Sequence, residues 1–317
     1  MNRKTLGELV SIVIPTHNRY ESLIRAVDSC IIQTYQNIEI LIIDDNYSNI
    51  KLREKIISKF KNYDSRIKLI LNNSDLGASK ARNIGITESN GKYISFLDDD
   101  DEYMADRILK MMDCFQRTKI DNVAMIYSYG TIVYPTGKKE QEMTDCVGNP
   151  LFIQMIHNIA GTSFWLCKKE VLEKINGFED IYSHQDGIVL LKLLAQGYQI
   201  DLVRDFLVNY YAHDKGSGIT GVNNKSIIAD AKYYDKCKGY FHLLSSSETK
   251  IVTEMYYCTR IKRLLLIKDS TQALKEIREA WDTRIFSLYL FIKYILLYCC
   301  RSFYCLYDDY IQLKLRK

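Results

Sequence analysis

Four consecutive carboxylates, Asp98 to Asp101, are the residues of this chain with the most evident chemistry. They directly follow residues 93–97, an apolar run short enough to form a buried strand. Charges of one sign repel one another unless a cation lies among them, and carboxylate oxygens are the ligands that Mg²⁺ and Mn²⁺ prefer. The run therefore predicts a divalent-metal site at the carboxyl end of a strand, where open α/β sheets bind ligands. A solvated acidic turn is the alternative.

Polar loops also follow the other strands that the pattern predicts in the first 120 residues. Predicted strands alternate there with predicted helices, which indicates βαβ units and a mainly parallel sheet with these loops at one edge. Neither a GxGxxG fingerprint nor a Walker A loop is present, so the sequence gives no support for a dehydrogenase or a P-loop enzyme. The polar sequences are Pro15-Thr16-His17-Asn18-Arg19 after residues 10–14, Asp44-Asp45-Asn46 after residues 38–43, and residues 72–77 after residues 67–71.

The middle of the chain predicts further strands and one strongly apolar helix. Residues 123–127 and 131–134 are expected to form a hairpin, and an apolar helix is expected after Gln185-Asp186. Residues 212–220 form a glycine-containing loop that we expect to close over a ligand.

Composition describes an ordinary folded protein of 317 residues, 47% hydrophobic and 26% charged. The formal net charge of +4 gives no reason to expect a nucleic-acid partner. The nine cysteines show no C-x-x-C spacing, and no long apolar segment precedes the first strand. These features predict reduced thiols, no signal peptide and a cytoplasmic protein.

Helical spacing replaces the alternating pattern from about residue 222 onward. We therefore predict one domain over residues 1–221, with halves at 1–101 and 102–221, and a helical region over residues 222–317. Residues 285–300 are apolar on almost every side of a helical projection but are too few to span a bilayer. With the basic residues around them, residues 285–306 predict contact with the inner face of a membrane, and a buried helix is the alternative.

Five segments, taken in order, resemble family-2 glycosyltransferases of the GT-A fold. The resemblance covers about residues 8–220 and implies a Rossmann-like, mostly parallel sheet flanked by helices, with the C-terminal helical region outside it. The five segments are residues 10–19, 42–46, 77–83, 96–101 and 185–186.

The resemblance implies a site for the nucleotide-sugar donor on the loops after the first strands. Asp45 would accept a hydrogen bond from the base, typically uracil, and Arg82 would reach the nucleotide or the sugar. Asp98 and Asp100 would be the ends of the D-x-D motif, with Asp100 as a ligand of Mn²⁺ or Mg²⁺. The additional carboxylate leaves a second register open, in which Asp99 and Asp101 are the ends. The remaining donor-binding residues implied are Pro15, Thr16, Asn18 and Asp99.

The resemblance also implies the residues on the acceptor side. Asp186 would be the general base, although an Asp there could instead cap the helix that follows. Gln185 stands where the family usually has Glu; because an amide cannot act as a base, it would contact the acceptor. Trp165 would stack on a sugar or pack in the core. His213 would add a metal ligand from the late loop or be merely exposed.

Together these residues predict an inverting, metal-dependent glycosyltransferase. It would move a sugar, typically from UDP, to a hydroxyl of a glycan or lipid-linked glycan in surface-polysaccharide synthesis. The alternatives are a nucleotidyltransferase with a similar sheet and a non-catalytic, membrane-associated protein that binds sugar nucleotides.

Overall fold

The computed structural model describes residues 7–213 and 221–299. The chain divides into two compact units, Met1–Asp214 and Lys215–Lys317. The strands of the first unit are β1 (Val10–Thr16), β2 (Ile38–Asp44), β3 (Ile67–Leu71), β4 (Tyr93–Phe96), β5 (Glu102–Tyr103), β6 (Val123–Val133), β7 (Lys139–Glu142), β8 (Trp165–Lys168) and β9 (Gln199–Tyr211). Its helices are α1 (Tyr20–Ile31), α2 (Ile50–Phe60), α3 (Ala78–Glu88), α4 (Arg107–Arg117), α5 (Leu151–Ile156), α6 (Lys169–Lys174) and α7 (Gln185–Ala195).

One sheet contains all the described strands, in the order β3-β2-β1-β4-β8-β6-β9-β5, with β7 paired to β6. The neighbours β3-β2-β1-β4 are parallel, as are β6 and β9, and antiparallel pairs join the remaining strands. Thr16 at the end of β1 is therefore in register with Asp44 at the end of β2. The polar loops that follow β2, β1 and β4 consequently meet at one edge, as the strand pattern predicted.

Helix α3 packs closely on β1, and a glycine makes that approach possible. Every residue of β1 is buried, as is typical of a parallel strand covered on both faces. A Cβ atom at Gly85 would lie 2.2 Å from a methyl carbon of Val13, so a larger residue could not be accommodated there without movement.

A fully buried arginine connects the sheet to the loops of the polar edge. Arg107 at the start of α4 donates hydrogen bonds to the Ser95 hydroxyl at 2.8 Å and to the Ser163 and Trp165 carbonyls, each at 3.1 Å. Its guanidinium also lies over the Tyr103 ring, 3.9 Å from the centroid. Burial lowers the pKa of this group, but neutral oxygens accept hydrogen bonds from both of its Nη atoms and so fix β4 relative to β8.

The predicted hairpin within residues 123–134 is wrong. Those residues form the single strand β6, and the hairpin partner is β7, which lies outside the residues that were predicted to form the hairpin. Gly130 does not mark a turn: a Cβ atom there would lie 2.2 Å from the Phe164 ring, so the glycine permits close packing within the strand.

The second unit is helical, as the spacing predicted. Its elements are α8 (Asn224–Lys238), α9 (Ser246–Leu266), α10 (Ser270–Asp282) and α11 (Leu288–Cys299). Charged pairs join the first three helices: Arg263 binds Asp230 at 2.9 Å and Arg260 binds Glu276 at 2.6 Å. Within the described residues, no helix has both the length and the apolar character needed to cross a membrane.

Candidate active site

Two of the four carboxylates after β4 are buried and have their partners within the protein. Asp99 accepts a hydrogen bond from the Thr16 hydroxyl at 2.7 Å. Asp101 accepts hydrogen bonds from the Ser163 hydroxyl at 2.6 Å and from the Tyr211 amide at 3.1 Å. Burial raises the pKa of Asp99 to about 6 and raises the pKa of Asp101 well above its ordinary value. Both residues therefore help to hold the loop in place.

The other two carboxylates are more accessible and bind charged or ionisable side chains. Asp98 is 30% exposed and accepts a hydrogen bond from Arg82 Nη2 at 2.5 Å. One oxygen of Asp100, Oδ2, lies 2.6 Å from Arg19 Nη1 and 2.7 Å from His213 Nε2. The 98/100 register of the predicted D-x-D motif would use the two more accessible carboxylates, which are 30% and 14% exposed, and this register stays a prediction.

The pair formed by Asp100 and His213 fits a divalent cation as a partial ligand set. Two ligands at right angles, each roughly 2.1 Å from Mg²⁺, lie about 3.0 Å apart, close to the 2.7 Å between Asp100 Oδ2 and His213 Nε2. Within residues 7–213 and 221–299 no group of three or more His, Cys, Asp or Glu side chains could enclose a metal. Mg²⁺ commonly takes one or two protein ligands and completes its shell with water and substrate phosphates.

The loop after β1 turns sharply at the sheet edge. Asn18 has a positive φ of 58°, a conformation in which Asn is several-fold enriched. Its backbone N–H donates to Asn46 Oδ1 at 2.6 Å. Asn18 is exposed, whereas the Pro15 and Thr16 side chains are buried. Thr16 thus supports Asp99, and among the predicted pocket residues of this loop only Asn18 offers its side chain to a ligand.

The Asp45 carboxylate organises the loop between β3 and α3. Its two oxygens accept hydrogen bonds from the Asn72 amide group and from the backbone amides of Leu76 and Gly77, each at 2.8 Å. Gly77, with a φ of +85°, takes a backbone conformation that suits glycine. Asp45 is therefore an anchor of this loop, and its contact with a nucleotide base stays a prediction.

Arg82 connects the predicted donor and acceptor residues. Its Nη2 donates to Asp98, and its Nη1 donates to the Gln185 side-chain oxygen at 2.8 Å. The Arg82 side chain is only 8% exposed, so the two contacts hold it in one position. The chain Asp98–Arg82–Gln185 thus brings the end of β4 next to the start of α7.

Asp186 lies in the first turn of α7 with both carboxylate oxygens engaged. The Gly187 amide donates to Oδ1 and the Asn158 side chain donates to Oδ2, each at 2.8 Å. Gln154, which is fully buried, donates in turn to Asn158 Oδ1 at 3.1 Å. Burial raises the pKa of Asp186, although the Gly187 amide and the Asn158 side chain act in the opposite direction. The helix begins after His184, so Asp186 is not its cap.

The prediction of Trp165 as an acceptor contact is corrected by its position in the core. The ring has no exposed surface. It stacks on Phe178 and meets Phe96 edge-on, with both centroid distances 6.0 Å. Its indole nitrogen donates to the Ala160 carbonyl at 3.1 Å. Because every face of the ring is covered, Trp165 packs the sheet under the site and offers no surface on which a sugar could stack.

Two residues of the site had no role in the sequence interpretation. Arg19 is part of the first polar loop, but only the structure shows its contacts with Asp99, Asp100 and His213. Asn158 follows α5 and carries no motif, so the sequence held no signal for its bond to Asp186.

The fold and the residues at this sheet edge agree with a comparison to known families. Residues 11–176 match the family described as Glycosyl transferase family 2. Because the match covers more than half of the chain, the protein belongs to this family and is a glycosyltransferase. The predicted fold class is confirmed with it. The same result decides against the nucleotidyltransferase and the non-catalytic binding protein that the sequence left open.

Individual relatives agree with this assignment, and a solved structure agrees with the fold. The chain is 28% identical over 214 residues to the amylovoran biosynthesis glycosyltransferase AmsB of Erwinia amylovora, covering 63% of this chain and 69% of AmsB. It is 40% identical over 113 residues to WfaP of Escherichia coli, a UDP-Glc:α-D-GlcNAc-diphosphoundecaprenol β-1,3-glucosyltransferase, covering 36% of this chain and 43% of WfaP. The crystal structure of S. aureus TarS 1-349 in complex with UDP-GlcNAc has the same fold, with a TM-score of 0.62 and 15% identity over 80% of this chain and 72% of that one.

Proposed function

We propose that this glycosyltransferase inverts the anomeric centre and transfers a sugar from a UDP-sugar to a hydroxyl of a glycan or lipid-linked glycan. The observation that supports the proposal is the hydrogen-bonded chain Asp98–Arg82–Gln185, which connects the carboxylates after β4 to the first turn of α7, where Asp186 lies. The relative WfaP, a UDP-Glc:α-D-GlcNAc-diphosphoundecaprenol β-1,3-glucosyltransferase, supports the choice of donor and acceptor.

Asp186 would act as the general base. Its raised pKa makes it a better proton acceptor than an ordinary Asp, and the Gly187 and Asn158 donors fix both of its oxygens. As the acceptor oxygen attacks the anomeric carbon, Asp186 takes the hydroxyl proton and the bond to the diphosphate oxygen breaks on the opposite face. Attack opposite to the leaving group inverts the configuration, as in inverting glycosidases.

The donor side would neutralise the charge of the departing nucleoside diphosphate. Asp100 and His213 would hold Mn²⁺ or Mg²⁺, which supplies Lewis-acid stabilisation of the leaving group when bound. Asp98 and Arg82 would contact the sugar or ribose, and Asp45 the base. The remaining residues proposed here for the donor site are Pro15, Thr16 and Asn18 through their loop, with Asp99 as a support.

The test is a panel of UDP-, GDP- and dTDP-sugars assayed for binding and hydrolysis with Mn²⁺, Mg²⁺ or EDTA. We expect one class, the UDP-sugars, to bind and to release nucleotide slowly, and the release to stop in EDTA. Binding measurements are included because transfer needs an acceptor while binding does not. Failure to bind any nucleotide sugar in the presence of metal would refute the proposal.

For the second unit, we propose contact with the inner, cytoplasmic face of an anionic membrane through α11. One face of this helix is buried, with Tyr294 only 1% exposed, while Leu288 and Leu296 are 62% and 57% exposed. Ile292 is also exposed on the accessible side, and the basic residues after position 300 lie outside the described residues. An apolar face with neighbouring basic residues is typical of interfacial helices.

Sedimentation with phosphatidylglycerol vesicles tests this contact. We expect the full chain to sediment with anionic vesicles and the double variant Ile292→Asp, Leu296→Asp to remain in the supernatant, because acidic groups oppose insertion and are repelled by the lipid charge. Ile251→Asp, at an apolar position of α9 that is 44% exposed against 48% for Ile292, is the control and should sediment like the wild type. Equal sedimentation of all three proteins would show that α11 is not the contact.

A further inference from the structure

Arg19 stands among the groups that the proposed function assigns to the metal. Its Nη1 lies 2.6 Å from Asp100 Oδ2 and 3.0 Å from Asp99 Oδ1, and its Nη2 lies 3.1 Å from His213 Nε2. One guanidinium thus contacts both proposed ligands and the buried carboxylate between the ends of the D-x-D motif.

The contacts around His213 cannot all be satisfied at once. Nε2 lies 2.7 Å from Asp100 Oδ2, which can only accept if it is ionised, and 3.1 Å from Arg19 Nη2, which can only donate. A protonated Nε2 can donate to Asp100 but then meets the arginine donor. An unprotonated Nε2 can accept from Arg19 but then faces a carboxylate oxygen. A lone pair on Nε2 and a lone pair on Oδ2 are both satisfied when they point to the same cation.

We propose that Arg19 and a divalent cation are alternative partners of Asp100 and His213. This inference rests on the proposed function, because that function assigns these two residues to the metal. The guanidinium of Arg19 places a positive charge beside Asp99 and Asp100, and it would repel a divalent cation bound to the same oxygen at such short range. Binding of the cation therefore requires Arg19 to leave Asp100.

The surroundings of Arg19 allow that movement. Its side chain is 40% exposed, whereas the side chain of Asp99 beneath it is 6% exposed. The Asp99 carboxylate is therefore held in place, whereas the Arg19 side chain can rotate towards solvent. Arg25, the next arginine of the chain, is not an equivalent group, since it donates to the backbone carbonyl of Asp100 at 2.6 Å and not to the carboxylate.

The test is calorimetric titration of the full chain with Mn²⁺ alone, without nucleotide. We expect Arg19→Gln to bind Mn²⁺ about tenfold more tightly than the wild type, since the competing charge is gone, a change equivalent to about 1.4 kcal/mol. Arg19→Lys, which keeps the charge but not the forked donor group, should lie between them. Arg204→Gln removes the same charge from an exposed pair with Asp145 and should leave the affinity unchanged. Asp100→Asn should abolish binding.

A second measurement covers the case in which Arg19→Gln is poorly folded. In EDTA the variant should melt below the wild type, because its carboxylates have lost their counter-ion. In Mn²⁺ the gain in melting temperature should be larger for the variant than for the wild type, because tighter binding stabilises more. Unchanged or weaker Mn²⁺ binding by a folded Arg19→Gln would refute the competition while leaving the metal site intact. Absence of binding in both the wild type and Arg19→Gln would refute the metal site and the inference with it.

Discussion

Replacement of Asp186 by Asn is expected to lower the rate of glycosyl transfer by about 10²–10⁴-fold, the range that general-base catalysis contributes. The amide has the shape of the carboxylate but cannot accept the acceptor proton. The variant should still bind the donor, because the Asp98–Arg82–Gln185 contacts do not involve the Asp186 side chain. Single-turnover transfer and calorimetric donor binding measure the two properties separately.

Asp180→Asn is the matched control for this variant. Asp180 precedes α7, its side chain is 70% exposed and it pairs only with Lys80 at 3.0 Å among the described contacts, so it should retain transfer activity. Equal activity of Asp186→Asn and the wild type would exclude Asp186 as the base. A parallel loss of donor binding would instead indicate a structural role.

The pH dependence of activity and stability, measured for the wild type and Asp186→Asn, gives an independent test of the same role. Burial raises the pKa of Asp186, so the wild type should lose activity on acidification at a higher pH than an ordinary Asp, whose pKa is about 3.9, would produce. Acidification has the opposite effect on the stability of the fold. Because ionisation is less favourable in the folded protein than in the unfolded chain, the charged form destabilises the fold above the raised pKa, and protonation relieves this as the pH falls. Near neutral pH, removal of this charge in Asp186→Asn should therefore leave the stability of the fold equal to or above that of the wild type.

The sequence was sufficient to predict the sheet edge at which the site lies. Apolar runs that end in Asp44 and in Asp98 predict buried strands, and parallel pairing brings their carboxyl ends together whatever the details of packing. The position of Asp186 at the start of an apolar helix was also a local feature. For each of these residues, the neighbouring sequence determines which strand or helix it belongs to and at which end of that strand or helix it lies.

Contacts between distant segments could not be predicted in this way. Asn158 and Asp186 meet because α5 packs against α7, and nothing near residue 158 in the sequence specifies that packing. Trp165 is a similar case, because the sequence alone does not distinguish a tryptophan that packs in the core from one that is exposed at a binding site. The alternation of buried and accessible carboxylates from Asp98 to Asp101 likewise depends on Ser163 and Tyr211, which are remote in the chain.

Replacement of Asp100 by Asn is expected to have the second large effect. The variant should lose Mn²⁺ binding and lower metal-dependent transfer by at least about 10²-fold, because Lewis-acid stabilisation of the leaving group contributes several kcal/mol and each 1.36 kcal/mol is tenfold in rate. Wild-type enzyme in EDTA should fall to a similar rate. Donor hydrolysis and transfer, each measured with Mn²⁺ and with EDTA, test this expectation.

Asp101→Asn is the control that also decides the register of the motif. Asp101 is fully buried and accepts hydrogen bonds from Ser163 and Tyr211, so an amide of the same shape can keep the Tyr211 bond and donate to the Ser163 oxygen. Its raised pKa means that its charge destabilises the fold near neutral pH, and losing that charge should be tolerated. We therefore expect Asp101→Asn to retain Mn²⁺ binding and most activity while Asp100→Asn loses both. The opposite result would assign the metal to the 99/101 register, and it would also remove the basis for competition between Arg19 and the metal at Asp100.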